Sequence, residues 1–239
     1  MIPRDVRPCA DEVRIDTKQE EPDMTSQTRE FTPLDRLILN LDRGIRTLFG
    51  RPQTTARPNP AGDLPESELD DRQRRLVAGL MRVDHTGEVC AQALYQGQSL
   101  TARDPQVRAA LEQSALEEND HLLWCDERLQ ELHGHTSYLN PFWYTASLGI
   151  GIVAGLAGDD WSLGFLAETE YQVIRHLESH LQRLPQQDSR SRTILLQMME
   201  DEAHHATVAV THGASTLPAP VQVLMKLQSR VMTGTAYWV

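Results

Sequence analysis

Leu195-Leu-Gln-Met-Met-Glu-Asp-Glu-Ala-His-His-Ala206 holds Glu202 and His205 three residues apart in a segment of helical composition. At about 100° per residue, that spacing puts both side chains on one helix face. The same spelling recurs as Glu118-Asn-Asp-His121. Each Glu-x-x-His follows a lone glutamate at a similar distance: Glu88 lies 30 residues before Glu118, and Glu170 lies 32 before Glu202. The repeat offsets are 82 from Glu88 to Glu170 and 84 from Glu118 to Glu202. The chain therefore carries one pattern twice: a glutamate on one helix and Glu-x-x-His on the next. Four helices that turn such residues inward make a two-metal carboxylate site in a helical bundle. The expected class is all-α, a four-helix bundle with additional amino-terminal and carboxy-terminal helices.

The 239 residues suffice for one sizeable domain with its own core. A formal charge of −11 and the lack of a basic stripe exclude a nucleic-acid partner. Cys9, Cys90 and Cys125 are odd in number and scattered, so no disulfide framework is read, and a reducing, cytosolic setting follows. The first 30 residues mix charges of both signs without an apolar core, which does not fit a signal peptide. They are expected to be disordered, with Met24 an alternative start.

Residues 31–65 read as a short amphipathic helix with Leu34, Leu37, Ile38, Leu41, Ile45 and Leu48 on its stripe, then a linker with four prolines. The metal-binding domain is expected over 66–239, its helices running over 66–102, 106–133, from Asp159 to the turn at Pro185, and up to Gly213. Between the second and third lies an apolar stretch, with no charged residue over 136–158. A last amphipathic helix runs from Val221 to about Tyr237.

An acidic residue on a helix usually faces water, and that reading suits Glu112 and Glu200. Glu88, Glu118, Glu170 and Glu202 differ because their same-face neighbours are mostly apolar or small, such as Leu163, Leu166 and Val173 beside Glu170. A buried unpaired carboxylate costs several kcal/mol, and two divalent cations would offset four of them. Glu168 competes with Glu170, but an outward pair with Arg175 suits it better, and the repeat offset selects Glu170. His204 is expected to face outward. His85 is read as supporting the site from behind the ligands, the alternative being a satisfied core histidine. Glu117 and Asp201 lie four residues before His121 and His205, where each either orients an imidazole or faces solvent. His176 lies off the ligand face, and Tyr95 reads as core. Four carboxylates and two imidazoles suit iron, with manganese the alternative.

With those residues in place, the chain resembles the demethoxyubiquinone hydroxylase family of ferritin-like di-iron proteins. The likeness covers roughly Leu80 to Val239 and is best at Met81-Arg-Val-Asp-His-Thr-Gly-Glu-Val89, continuing into Leu94-Tyr-Gln-Gly-Gln98. It is also clear at Glu118-Asn-Asp-His-Leu122, Glu170 and Asp201-Glu-Ala-His-His205. The resemblance implies a ferritin-like fold and an O2-dependent monooxygenase of ubiquinone biosynthesis. It would hydroxylate the ring of 2-polyprenyl-3-methyl-6-methoxy-1,4-benzoquinol. Glu88, Glu118, His121, Glu170, Glu202 and His205 would hold two iron ions per subunit, with Glu118 and Glu202 bridging. The electron donor is unidentified, NADH being one candidate.

A polyprenyl quinol resides in the bilayer, so peripheral contact with the cytoplasmic face of the bacterial cell membrane is expected. Pro141 to Ala157 and Val221 to Val239, with Tyr237 and Trp238, are the segments for it. The competing reading of 141–158 is a core helix, in which Gly149, Gly151 and Gly155 allow close approach. Other ubiquinone-biosynthesis proteins are candidate partners. Rival functions are a ferroxidase, a manganese catalase, or a catalytically idle metal-binding scaffold of a quinone-biosynthesis complex.

Overall fold

Several helix starts follow side chains that satisfy the free N–H groups of a first turn. Thr32 and Asp35 reciprocate in a capping box at the first helix, and Asp70 and Gln73 do so at the second. The computed structural model describes residues 32–51 and 53–239. Among these residues there are seven α-helices and no strand: α1 (Pro33–Phe49), α2 (Asp71–Thr101), α3 (Pro105–Glu131), α4 (Asn140–Leu156), α5 (Asp159–Arg183), α6 (Ser189–Thr211) and α7 (Ala219–Ala236). The disorder expected for residues 1–30 lies outside the described residues.

The second helix starts at Asp71, five residues later than the spacing suggested. Asp70 accepts from the Gln73 N–H at 2.8 Å while Gln73 Oε1 accepts from the Asp70 N–H at 3.0 Å, and this pairing fixes the start. Glu66, left outside the helix, instead pairs with Arg128 at 2.7 Å. Arg128 is fully buried and also holds Asp188, whose carboxylate accepts from the Ser191 N–H at the start of α6.

α2, α3, α5 and α6 form the bundle. The three-residue turn between α2 and α3, and the short one between α5 and α6, make two helical hairpins. α4 lies in the crossover between them and packs along α2. Two apolar layers fill the bundle. One gathers Leu80, Met81, Trp124, Leu177, Leu195 and Met198; the other gathers Tyr95, Leu111, Leu163, Leu166 and Ala209. Between them, Glu88, Glu118 and His121, Glu170, and Glu202 and His205 form a polar layer at mid-height.

The α2–α4 crossing depends on missing side chains. A Cβ on Gly97 would sit 2.5 Å from the Leu148 carbonyl oxygen and 2.7 Å from the Ile152 nitrogen. One on Gly151 would strike the Leu94 carbonyl, and one on Gly155 the Thr101 side chain, whereas Gly149 faces open space. Gly151 and Gly155 thus serve close approach as expected, with Gly97 as their counterpart, and Gly149 does not. Among the described residues no helix is long and apolar enough to cross a membrane. Backbone cannot move aside as a flexible side chain can. Gly151→Ala is therefore expected to destabilise by about 1–3 kcal/mol or more, read as a lower thermal midpoint. Gly149→Ala should not lower it; equal melting of both variants would contradict this packing.

Candidate metal centre

Every residue of the twice-repeated pattern points into the polar layer: Glu88 from α2, Glu118 and His121 from α3, Glu170 from α5, and Glu202 and His205 from α6. None is more than 3% exposed. The pattern works because three residues of helix turn Glu and His to one side, and antiparallel hairpins bring the four positions to the same height.

The two imidazoles present their Nδ1 atoms to the carboxylates. His121 Nδ1 lies 2.9 Å from Glu118 Oε2, 3.5 Å from Glu202 Oε1 and 3.8 Å from Glu88 Oε2. His205 Nδ1 lies 2.9 Å from Glu118 Oε1 and 3.4 Å from Glu202 Oε2. Glu118 and Glu202 therefore each give one oxygen to each histidine and span the centre. Glu88 stands at the His121 side. Glu170 stands apart from it, accepting a 2.9 Å hydrogen bond from the buried Tyr95 hydroxyl. One ligand atom from each of Glu88, Glu118, His121 and Glu202 falls within 4.8 Å of all the others, a grouping that could hold a metal ion.

The outer imidazole nitrogens are held crosswise. His121 Nε2 lies 2.8 Å from Asp201 Oδ2 on α6, and His205 Nε2 lies 2.9 Å from Glu117 Oε2 on α3. Both carboxylates orient an imidazole, each on the neighbouring helix and not four residues along its own. Asp201 is fixed in turn by Arg57 at 2.9 Å, and Arg57 also holds the buried Asp120 at 2.9 Å and lies over the Trp124 ring. The Thr55 N–H donates to Asp120 as well, at 2.9 Å. The proline-rich linker is thus a clip across α3 and α6 behind the histidines. Nothing in its composition signalled this, because its partners lie more than sixty positions away.

Other candidates fall elsewhere. His204 is exposed, and Glu168 pairs with Arg175 at 3.2 Å. His85 is a core histidine: its Nδ1 lies 3.4 Å from Asn140 Nδ2, across the α2–α4 crossing. Burial pushes it down to about 4, so it is neutral. Its position one turn before Glu88 suggested a supporting role that its contacts do not give it. Tyr95 lies in the apolar layer yet donates to Glu170.

Electrostatically the donors resist being left alone. Burial, then the neighbouring carboxylates, pushes Glu88 and Glu170 well above the ordinary carboxylate range. Burial opposes charge on Glu118 too, but His121 and His205 hold it well below that range. Burial likewise disfavours the imidazolium forms. Even so, Glu118 and Asp201 raise His121 well above its ordinary value, and Glu118 and Glu202 raise His205 to about 12. Glu118 Oε1, although 2.9 Å from His205 Nδ1, has no hydrogen-bond partner. Converging carboxylates with an orphaned oxygen and inward nitrogens fit a hard divalent cation. Protons and cations compete for these donors.

An apolar cleft between α2, α4, α5 and α7 reaches this layer at Glu88. Leu94, Ile150, Phe165, Val173, Met225 and Met232 line it.

The family described as "Ubiquinone biosynthesis protein COQ7" matches residues 75–236. A 3-demethoxyubiquinol 3-hydroxylase of Nitrosococcus oceani is 57% identical over 211 residues, 88% of this chain and 99% of that protein. The protein of that name from Nitrosomonas europaea is 59% identical over 206 residues, covering 86% and 99%. The one from Pseudomonas putida is 52% identical over 209 residues, covering 87% and 97%.

Because protons on Glu88, Glu170 and the two imidazoles must leave before a cation binds, uptake of Fe2+ is expected to release protons and to tighten as pH rises through the neutral range. Calorimetry in buffers of different ionisation enthalpy reads this directly; an enthalpy independent of buffer would contradict it. Asp201→Asn, which loosens His121, should weaken binding by about 10–100-fold.

Proposed function

The chain belongs to the ubiquinone biosynthesis protein COQ7 family, and we propose that it acts as its relatives are named, hydroxylating the one unsubstituted ring carbon of demethoxyubiquinol with O2. In full, the substrate is 2-polyprenyl-3-methyl-6-methoxy-1,4-benzoquinol. The observation that carries this reading is an apolar cleft opening onto a buried carboxylate–imidazole layer in a ferritin-like bundle. A quinol ring with a long hydrocarbon tail needs such a cleft, and ring hydroxylation needs such a layer.

Glu88, Glu118, His121, Glu170, Glu202 and His205 would hold two iron ions, Glu118 and Glu202 from positions between the two imidazoles. When bound, ferrous iron would supply the two electrons that, with two protons, let one atom of O2 enter the ring while the other leaves as water. The protein contributes placement and dryness. Asp201 and Glu117 fix the imidazoles, Tyr95 fixes Glu170, and the apolar layers above and below exclude water that would compete with the substrate. From the cleft side, the ring arrives beside Glu88.

The tail must leave the bilayer only in part, so the enzyme works at the cytoplasmic face of the cell membrane as a peripheral protein. Phe142, Val153 and Leu156 on α4, and Val223, Leu224, Leu227, Val231 and the following Trp238 around α7, are exposed. These two helices also wall the cleft. α1 adds a further apolar stripe through Leu34, Ile38, Leu41 and Ile45. Apolar side chains with a tryptophan at one end suit the headgroup boundary.

Expression in a bacterial strain lacking the hydroxylase is expected to restore ubiquinone and clear demethoxyubiquinone from lipid extracts. Glu170→Ala should abolish this restoration while leaving the protein folded. Full ubiquinone synthesis with Glu170→Ala would instead support an idle scaffold. For the surface, the wild-type protein should sediment with phospholipid vesicles, and the double variant Leu224→Glu/Leu227→Glu should stay in the supernatant. Equal sedimentation of the two would contradict the assignment of α7 to the bilayer.

A further inference from the structure

A second set of donors lies below the carboxylate layer, about one helical turn along α2 and about two to three turns along α5. Asp84 is on α2, four residues before Glu88, and His176 and His180 are on α5, six and ten residues after Glu170. Asp84 and His180 are 3% and 1% exposed, and His176 is half-buried. One ligand atom from each of the three falls within 4.8 Å of the other two. His180 Nδ1 stands 2.8 Å from Asp84 Oδ1, and the two imidazole rings are 4.1 Å apart, centre to centre.

An ordinary buried ion pair does not account for this arrangement. His180 Nδ1 and Asp84 Oδ1 approach to ion-pair distance at 2.8 Å, yet neither atom has a hydrogen-bond partner. Asp84 Oδ2 and His176 Nε2 have none either. A polar atom buried without a hydrogen-bond partner destabilises a fold, and four of them converge here. Glu118 Oε1 shows the same signature in the main centre: close to an imidazole nitrogen, yet unpartnered.

We propose that Asp84, His176 and His180 form a separate site for one divalent cation of the zinc type, bound through two imidazole nitrogens and one carboxylate oxygen. Two nitrogens and one oxygen are a zinc donor set, with the fourth tetrahedral position left for an oxygen donor. Ligand bonds of 2.0–2.1 Å put tetrahedral donors about 3.3 Å apart, a spacing these side chains reach by small rotations. Asp84 and His176 both line the apolar cleft, so the fourth position faces it. Burial and the neighbouring His180 push His176 down to about 4, which keeps it in the neutral form that binds metals. The site shares no ligand with the carboxylate layer and does not rest on the hydroxylase reading.

Cobalt distinguishes the two sites, because four-coordinate Co2+ absorbs strongly in the visible range while carboxylate-rich, higher-coordinate Co2+ absorbs weakly. Full-length metal-free protein titrated with Co2+ is expected to develop the strong bands. They should persist in Glu118→Ala/Glu202→Ala, which disables the main centre. They should be lost in His176→Gln and in Asp84→Asn, together with one equivalent of bound Zn2+ per chain by elemental analysis. His176 is the least buried of the three, so His176→Gln threatens folding least, and circular dichroism checks that it is helical. Absence of the strong bands from the wild type, or their persistence with undiminished zinc in a folded His176→Gln, would overturn the proposal.

Discussion

Six ionisable side chains sit at the mid-height of the bundle with almost no contact with water. Removing each from solvent costs several kcal/mol unless something opposite in charge stands beside it. The arrangement meets this demand in layers. Carboxylates face imidazole Nδ1 atoms at the centre, further carboxylates hold the outer nitrogens, and Arg57 closes the set over Asp201. Largely apolar layers above and below make the demand acute, since they offer few polar groups to share it.

The two hairpins meet that demand by exchange. α3 supplies the carboxylate that holds the histidine of α6, and α6 supplies the one that holds the histidine of α3. Either hairpin alone would present a histidine without its outer partner, so the centre exists only when the halves dock. The same docking brings Asp84 of α2 to His176 and His180 of α5. Burying polar groups in this way makes hairpin pairing specific as well as costly.

α4 and α7 do two jobs at once. Their inner faces wall the cleft that leads to Glu88, and their outer faces expose phenylalanine, leucine, valine and tryptophan. α4 can lie close enough to α2 only because Gly97, Gly151 and Gly155 let backbone meet backbone. On the function proposed above, the same pair of helices would serve both a hydrocarbon-tailed substrate and its path into the protein.

The sequence by itself determined the fold class and the inward set. Glu-x-x-His twice, each with an upstream glutamate and offsets of 82 and 84, requires four helices sharing one level, because helical periodicity turns those positions to a common side. Turn signals at Pro185 and Gly213 made several further boundaries readable, although Asp70 outcompeted Glu66 for the start of α2. Only the tertiary structure decided which carboxylate holds which imidazole, that Arg57 in a proline-rich linker stands behind Asp201, that His85 belongs to Asn140, and that Asp84 meets His176 and His180. These pairings join helices remote in sequence. Local periodicity specifies the face on which a side chain lies, but the partner across that face is set by how two hairpins dock.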